Sequence, residues 1–172
     1  MKRFAVALAV LLISSQLWAG RYNDLSFSLG LDQFDFNNGI SFSYGANLGL
    51  TSRLELDIWG ISELIDKPFF ENILGAELCF SIIGNRNTGS KIAGSGINTI
   101  VGLGAFYDTE SEGVGPFFSI TPLCIGSPIT GKRERILRTG FGWDVKNESL
   151  LVTFSLVNID IYAKGTYRDY EF

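Results

Sequence analysis

The chain has 172 residues, a formal net charge of −4 and no histidine. A chain of this length is expected to form one domain, and an acidic chain without a basic patch is not expected to bind nucleic acid. Without histidine, Ser-His and Cys-His nucleophiles are excluded and zinc sites lose their commonest ligand, so we expect no enzyme activity, no cofactor and no metal site.

The first segment of the chain has the order of a secretory signal peptide. Two basic residues precede an apolar run from Phe4 to Ile13, and the small residue Ala19 suits cleavage. The apolar run, of about ten residues, is too short to cross a bilayer as a helix. We therefore expect residues 1–19 to be a cleaved signal peptide and residues 20–172 to be one exported domain, with a membrane anchor or a buried helix as the alternative for the first segment.

Strands are expected to dominate the exported domain. The chain contains 20 Gly, 14 Phe, six Tyr and three Trp but only four Pro. Glycine and aromatic residues with few helix formers are typical of β-sheets. After residue 20 there is no uninterrupted apolar run of eighteen residues, so a membrane could be crossed only by strands.

Alternation of apolar and polar residues predicts eight strands, each ended by turn-forming residues. In the eighth strand the apolar positions change parity after Leu156, which predicts a β-bulge near Leu156 and Val157. The predicted strands are 25–32, 40–50, 54–59, 74–82, 97–106, 114–125, 137–144 and 150–161.

Two cysteines could form a disulfide in an oxidising compartment. The alternation places Cys79 on the face of Glu77 and Ser81, and Cys124 on the face of Phe118 and Ile120. Two side chains on opposite faces of a sheet cannot be bridged, so we expect free thiols, with an intramolecular disulfide as the alternative.

The apolar face of these strands could enclose a core, as in a soluble lipocalin-like barrel, or face lipid, as in an outer-membrane barrel. The strand lengths suit a tilted bilayer crossing, and the opposite face is rich in Ser and Gly, which suits a narrow lumen. Aromatic residues also gather at strand ends. The expected members of an aromatic girdle are Tyr44, Trp59, Tyr107, Trp143 and Tyr162.

In this pattern the chain resembles the small eight-stranded outer-membrane barrels of the OmpA, OmpX and OmpW kind. The hairpin 48–56 looks like a periplasmic barrel turn, and the C-terminal Tyr170 and Phe172 resemble the signal that the barrel-assembly machinery reads. The resemblance implies an all-β, closed, antiparallel, up-and-down transmembrane barrel in the cell outer membrane, with lipid and the assembly machinery as partners. It also makes the connections Gly84–Ser95 and Gly126–Arg135 periplasmic, where short turns are usual.

The polar face is expected to form a network that seals the lumen, in which Arg138 pairs with the acidic residues. Its expected members are Glu55, Asp57, Glu77, Arg138 and Asp144. A carboxylate pair for glycoside chemistry is the alternative for the acidic members. The segment 126–133 is similar to a phosphate loop, but Arg133 replaces the hydroxyl residue, so we expect a basic turn near anionic headgroups.

These features favour a structural or surface-interaction role, in which the connections 62–72 and 107–115 contact an external ligand or a host partner. The OmpW resemblance implies an alternative, a narrow passive channel or transporter for small or hydrophobic solutes. A soluble periplasmic lipocalin-like binding barrel is the second alternative.

Overall fold

The computed structural model describes residues 25–34, 41–51, 53–63, 73–84, 96–127 and 132–164. The expected signal peptide, most of the connection 62–72 and the C-terminal residues Tyr170 and Phe172 lie outside these residues. The described residues include no helix that is long and apolar enough to span a membrane.

The described residues form eight strands in one closed antiparallel barrel. Each strand pairs with the next in the chain, and β8 pairs with β1 to close the sheet. The predicted all-β class, strand number and up-and-down order are confirmed. The strands are β1 (Leu25–Phe34), β2 (Ser41–Gly49), β3 (Leu54–Glu63), β4 (Ile73–Ile83), β5 (Gly96–Asp108), β6 (Val114–Ser127), β7 (Lys132–Asp144) and β8 (Ser149–Lys164).

The connections alternate between the two ends of the barrel. We call the end with the β1–β2, β3–β4, β5–β6 and β7–β8 connections the loop end, and the opposite end the turn end. At the turn end, Thr51 closes the β2–β3 turn by accepting hydrogen bonds on Oγ1 from the backbone N–H groups of Arg53 and Leu54, at 3.2 and 2.9 Å. The β6–β7 connection is shorter than the predicted Gly126–Arg135, because β6 continues to Ser127 and β7 begins at Lys132.

The barrel carries most of its apolar side chains outside and most of its polar side chains inside. Leu103 is 68% exposed and Phe80 43% exposed, whereas Glu55 and Glu77 are each 1% exposed. Among the described outward-facing strand side chains, Glu134 alone is charged. The period of two residues along a strand therefore predicted the two faces correctly over most of the sheet.

A line of irregular pairing crosses three neighbouring strands. Leu31 pairs with Val157 and Asp32 with Ser155, so Leu156 is an extra residue and the predicted β-bulge is confirmed. The same change of parity occurs in β7, where Leu137 has a φ of 59°, and in β6. We call this feature the parity shift; it exchanges the inner and outer residue sets of β6, β7 and β8 in their turn-end halves.

The parity shift corrects the prediction for the cysteines. On β6, Thr121 pairs with Ile100 and Cys124 pairs with Asn98, so three residues of β6 advance against two of β5. Cys124 therefore points inward, and the prediction that the two thiols lie on opposite faces is wrong. Cys79 and Cys124 are both buried free thiols, and they pack in one cluster with Ile100.

Candidate functional site: the filled lumen

Paired charges fill the part of the lumen nearest the turn end. The Arg133 guanidinium contacts the Glu55 and Asp160 carboxylates at 2.9 and 2.6 Å. Arg135 contacts the same two carboxylates at 3.0 and 2.9 Å and also pairs with Asp57. Each of these five side chains is no more than 3% exposed, so the pairs are held away from bulk water. Ion pairs in such a site stabilise the fold only while every charge keeps its partner.

A second ion pair lies near the middle of the lumen. Arg138 donates to Oε1 of Glu77, and the other carboxylate oxygen of Glu77 accepts a hydrogen bond from Ser119 Oγ at 2.6 Å. Gly102 provides the room for this arrangement, because a Cβ there would lie 2.5 Å from Ser119 Oγ and 2.8 Å from Glu77 Cδ. We call these two ion-pair groups together the ionic network. Its members are Glu55, Asp57, Glu77, Arg133, Arg135, Arg138 and Asp160.

Local sequence explains why three arginines of β7 reach the same space. Arg133 and Arg135 alternate with Lys132 and Glu134, so the two arginines share the inner face. The parity shift at Leu137 then turns Arg138 inward as well. One strand can thus supply guanidinium groups at three heights of a narrow lumen.

Apolar side chains fill the lumen toward the loop end. We call this group the apolar plug: Trp59, Ile61, Ile73, Phe106 and Phe117. The rings of Trp59 and Phe117 have centroids 4.8 Å apart, and those of Phe106 and Phe117 are 6.4 Å apart in an edge-to-face arrangement. Such ring pairs contribute about 0.5–1.5 kcal/mol beyond the burial of their area.

Glycines on the inner face make space for these rings. A Cβ at Gly142 would lie 2.6 Å from Cε1 of Phe106, and a Cβ at Gly140 would lie 2.9 Å from Cε2 of Phe117. The small residues that alternate along β7 therefore fit directly beneath aromatic side chains from neighbouring strands. The predicted role of small residues in a narrow lumen thus applies to β7, where Gly140 and Gly142 leave the space that the Phe117 and Phe106 rings occupy.

Arg138 contacts both the ionic network and the apolar plug. Its guanidinium carbon lies 5.3 Å from the ring centre of Trp59 and 5.9 Å from that of Phe117, while its nitrogen pairs with Glu77. A guanidinium at such distances is attracted to the aromatic faces. The same side chain therefore ends the ionic network and begins the apolar plug.

A small cavity of about 20 Å³ remains between the two fillings. This volume is close to that needed by a single water molecule. Asp57 Oδ1 and Trp59 Nε1 belong to residues that line the cavity, and neither atom has a hydrogen-bond partner in the protein. One water could accept from the indole N–H and donate to the carboxylate, but a solute larger than water does not fit.

The predicted network residues differ in where they lie. Glu77 pairs with Arg138, whereas Glu55 and Asp57 pair with arginines that the sequence interpretation had placed in a connection. Asp144 lies apart from the ionic network at the loop end. Its carboxylate accepts hydrogen bonds from the backbone N–H groups of Lys146 and Asn147 and from the Asn147 side chain.

Sequence reasoning missed three members of the ionic network: Arg133, Arg135 and Asp160. The alternating charges of 132–135 could have indicated a strand with an arginine-rich inner face. Instead Arg133 was assigned to a basic turn near headgroups, and this is wrong because its side chain is fully buried in the lumen. Asp160 falls on the polar side of the predicted eighth strand, but nothing in the sequence identifies its partners.

The predicted girdle residues also differ in the face of the barrel on which they lie. Tyr44, Tyr107 and Trp143 lie on the outer face of their strands in the part nearest the loop end, with Tyr107 and Trp143 44% and 49% exposed. Trp59 is wrongly assigned, because it shares the inner parity of Glu55 and Asp57 and is 8% exposed in the apolar plug. The backbone of Tyr162 pairs with Ser26 at the turn end, and its side chain lies outside the described residues.

One group of described residues has the composition of a metal site. Glu55, Asp57 and Cys79 each offer a ligand atom, and these atoms lie within 4.8 Å of one another. However, Arg135 contacts both carboxylates, and the Cys79 thiol donates to Asp57 Oδ2 at 3.3 Å. The Arg135 guanidinium therefore already supplies the positive charge that a metal ion would bring, and both carboxylates are ion-pair partners of this arginine.

Comparison of the chain with protein-family models gave no match, and neither did comparison with curated proteins or with solved structures.

Proposed function

We propose that the chain is a bacterial outer-membrane β-barrel protein with a closed lumen and a structural or surface-interaction role. The single observation that carries this proposal is the inverted polarity of the barrel. Large apolar side chains cover the outer face, and ion pairs lie inside.

A lipid environment suits both the surface and the dimensions of the barrel. Burying exposed apolar side chains is favourable in lipid, while in water a patch of this extent would promote association. The strands contain between nine and sixteen residues. A ten-residue strand tilted by roughly 40° reaches about 25 Å, which is the height of the apolar band of outer-membrane barrels. The closed sheet also leaves no unpaired strand edge, as lipid requires.

The soluble lipocalin-like alternative requires the opposite arrangement. Such a barrel keeps apolar side chains inside to bind its ligand and polar side chains outside. Here Leu103, Leu150 and Leu156 are each at least 60% exposed, and the inner face holds the ionic network. The inverted polarity therefore argues against a soluble binding barrel.

The filled lumen argues against passive transport. At the level between Asp57 and Trp59 the open volume is about 20 Å³, which admits water but no organic solute. Conduction along the lumen would require both the ionic network and the apolar plug to move out of the path. We therefore propose that the protein acts through its position in the membrane and through its loop-end surface. This surface includes the connection between β5 and β6, with the exposed residues Glu110 and Glu112.

The partners that follow from this proposal are outer-membrane lipid, the barrel-assembly machinery and an external ligand or host partner at the loop end. Contact with the assembly machinery through Tyr170 and Phe172 stays a prediction from the sequence. These two residues lie outside the described residues.

Two measurements test the proposal in sequence. Fractionation should recover the protein in membranes, from which detergent but not carbonate extracts it; release without detergent would contradict the membrane proposal. Refolded protein in a planar bilayer should then give no steady channels. Steady channels whose conductance changes in Glu77→Ala, but not in the outward-facing control Glu134→Gln, would instead support transport.

A further inference from the structure

A second cavity opens at the loop end, above the apolar plug, with a volume of about 210 Å³. We call it the loop-end cup. Two buried side chains of the apolar plug, Ile73 and Phe106, contribute to its wall. Its lining also includes Asp108, Asp144, Ser149, Leu150 and Leu151. The cup thus combines an apolar surface with two carboxylates.

The two carboxylates are held in fixed positions by the adjacent turns. Asp108 accepts from the Glu110 backbone N–H at 2.9 Å and from the Ser111 hydroxyl at 2.7 Å. Asp144 is 5% exposed and accepts from the Asn147 side chain at 2.7 Å. A carboxylate has about four lone-pair positions. Asp144 uses all of its positions, because the backbone N–H groups of Lys146, Asn147 and Val114 donate to it as well as the Asn147 side chain. Among the described contacts, Asp108 accepts only from Glu110 and Ser111 and can accept from a ligand as well.

The charge around the cup favours a cation. Among the described residues, its lining includes two acidic side chains and no basic one. The nearest described cation in the β7–β8 turn is Lys146, whose ammonium pairs with Glu112 at 2.9 Å and contacts the Ser111 carbonyl oxygen at 3.4 Å. A cationic ligand would therefore meet a net negative charge in the lining, although the charge of Asp144 also attracts Lys146.

We propose that the loop-end cup binds a small amphipathic organic cation, with its ammonium group hydrogen-bonded to Asp108, the charge of Asp144 nearby, and its apolar body against Phe106 and Ile73. The volume supports a one-ring ligand, since a dry protein cavity of about 150 Å³ accepts benzene. The Phe106 ring adds a surface that attracts cations. The inference does not depend on the membrane proposal, because the cup lies at the mouth of the barrel in any solvent.

The test uses benzylammonium as the probe and the refolded full chain in detergent, with methyl-labelled Ile, Leu and Val followed by NMR. We expect saturable shifts at Ile73, Leu150 and Leu151 and none at the lumen residue Ile100. Benzyl alcohol, which has the same ring without the charge, should bind at least tenfold more weakly.

Three variants separate charge from shape. Asp108→Asn keeps a carbonyl oxygen for the turn and should weaken benzylammonium binding about tenfold. Ser149→Trp lies at the exposed rim, leaves both carboxylates in place and should abolish binding by filling the cup. The control Glu134→Gln removes one negative charge near the other end and should bind as the unaltered protein does.

Other outcomes would overturn the inference. These are no saturable shift with benzylammonium, equal binding of benzyl alcohol, or unchanged binding in Ser149→Trp. Shifts spread over outward-facing methyl groups such as Leu103 and Ile159 would show partition into the detergent layer and would also overturn it. Cooperative thermal unfolding of each variant, monitored by circular dichroism, confirms that the barrel is intact.

Discussion

The two halves of the lumen are filled with opposite chemistry. Toward the turn end, Arg133 and Arg135 lie among carboxylates that they contact at 2.6–3.0 Å. Toward the loop end, Trp59, Phe106 and Phe117 pack ring against ring over glycines. Both halves fill the lumen with packed side chains, yet they do so within one sheet of uniform topology.

This difference determines how strongly substitutions in each half of the lumen lower the stability of the fold. Removing atoms from an apolar filling leaves a cavity, and the cost rises with the volume left behind. Removing one charge from a buried ion-pair group leaves its partners unpaired, and the cost then depends on charge rather than size. We therefore expect the ionic network to be the more sensitive half for substitutions of similar volume.

The largest effect is expected for Arg135→Met, which keeps an unbranched stem but removes the guanidinium. Arg135 contacts Glu55, Asp57 and Asp160, so its loss removes the ion-pair partner of Asp57 and leaves Glu55 and Asp160 to Arg133. We expect the free energy of unfolding to fall by about 4 kcal/mol, as for other broken buried ion pairs. Urea titration of the refolded barrel in lipid vesicles measures this change.

The control for this experiment is the neighbouring residue Glu134, which faces outward. Glu134→Gln should leave the free energy of unfolding nearly unchanged. The double variant Arg135→Met with Asp57→Asn should recover part of the loss, because one unpaired charge is removed with its partner. A loss of under about 1 kcal/mol in Arg135→Met would mean that the pairs contribute little to stability.

The next largest effect is expected for Phe117→Ala in the apolar plug. Phe117 is 1% exposed and contacts Trp59 and Phe106, so truncation leaves a ring-sized cavity. We expect a loss of about 3 kcal/mol in the free energy of unfolding. Because no charge is removed, the dependence of stability on salt should not change, in contrast with Arg135→Met.

The adjacent residue Phe118 provides a matched control of the same type on the opposite face. It is 44% exposed on the outer surface. Phe118→Ala should cost less than Phe117→Ala in lipid vesicles, because both lose the transfer of the ring out of water but lipid chains fill the space left at position 118. Equal losses at the two positions would contradict the inner and outer assignment.

The fold and its two faces could be predicted because strand side chains alternate with a fixed period. In β2, β3 and β4 the alternation is regular, and the structure places Ser43, Glu55 and Glu77 inside, as the pattern indicates. In β8 the bulge was also predictable, since two apolar residues stand side by side at Leu156 and Val157. Local sequence is sufficient where each face has a consistent composition.

The ionic network could not be predicted in full, because it depends on the parity shift. In β7 the shift falls at Leu137, whose φ of 59° is unusual for any residue but glycine or asparagine. No turn-forming residue stands at Leu137 to indicate the irregularity. The sequence pattern therefore predicts that the strand begins at 137 and that the residues before it form a connection. The register across β6, β7 and β8, which is a property of the whole sheet, fixes where Arg133, Arg135 and Cys124 point.

A smaller loss of stability is expected when a methyl group is added at a glycine that lies against a ring of the apolar plug. In Gly140→Ala the added methyl group would lie against the Phe117 ring and the Thr153 hydroxyl. Overpacking of this kind should cost about 2 kcal/mol in the free energy of unfolding. Adding Phe117→Leu should recover part of the loss because it removes the clashing ring atoms, whereas additive losses would mean that the glycine acts in another way.

The smallest effect is expected at the exposed ion pair of the loop end, which contrasts with the buried pairs of the ionic network. Hydrogen bonding and charge attraction from Lys146 lower the pKa of Glu112 below its ordinary value of 4.5. A lowered pKa means that the pair stabilises the fold above the ordinary value and that this contribution is lost as the pH falls through the lowered one.

Lys146→Gln should therefore raise the pKa of Glu112 toward 4.5, which carbon-detected NMR titration of the carboxylate measures. The free energy of unfolding should show no resolvable change, because the two side chains are 50% and 72% exposed and water screens their attraction. Added salt should likewise reduce the pKa shift in the unaltered protein. A loss of stability in Lys146→Gln comparable with that of Arg135→Met would contradict the distinction between buried and exposed pairs, since both contain one cation and its carboxylate partners and differ chiefly in their access to water.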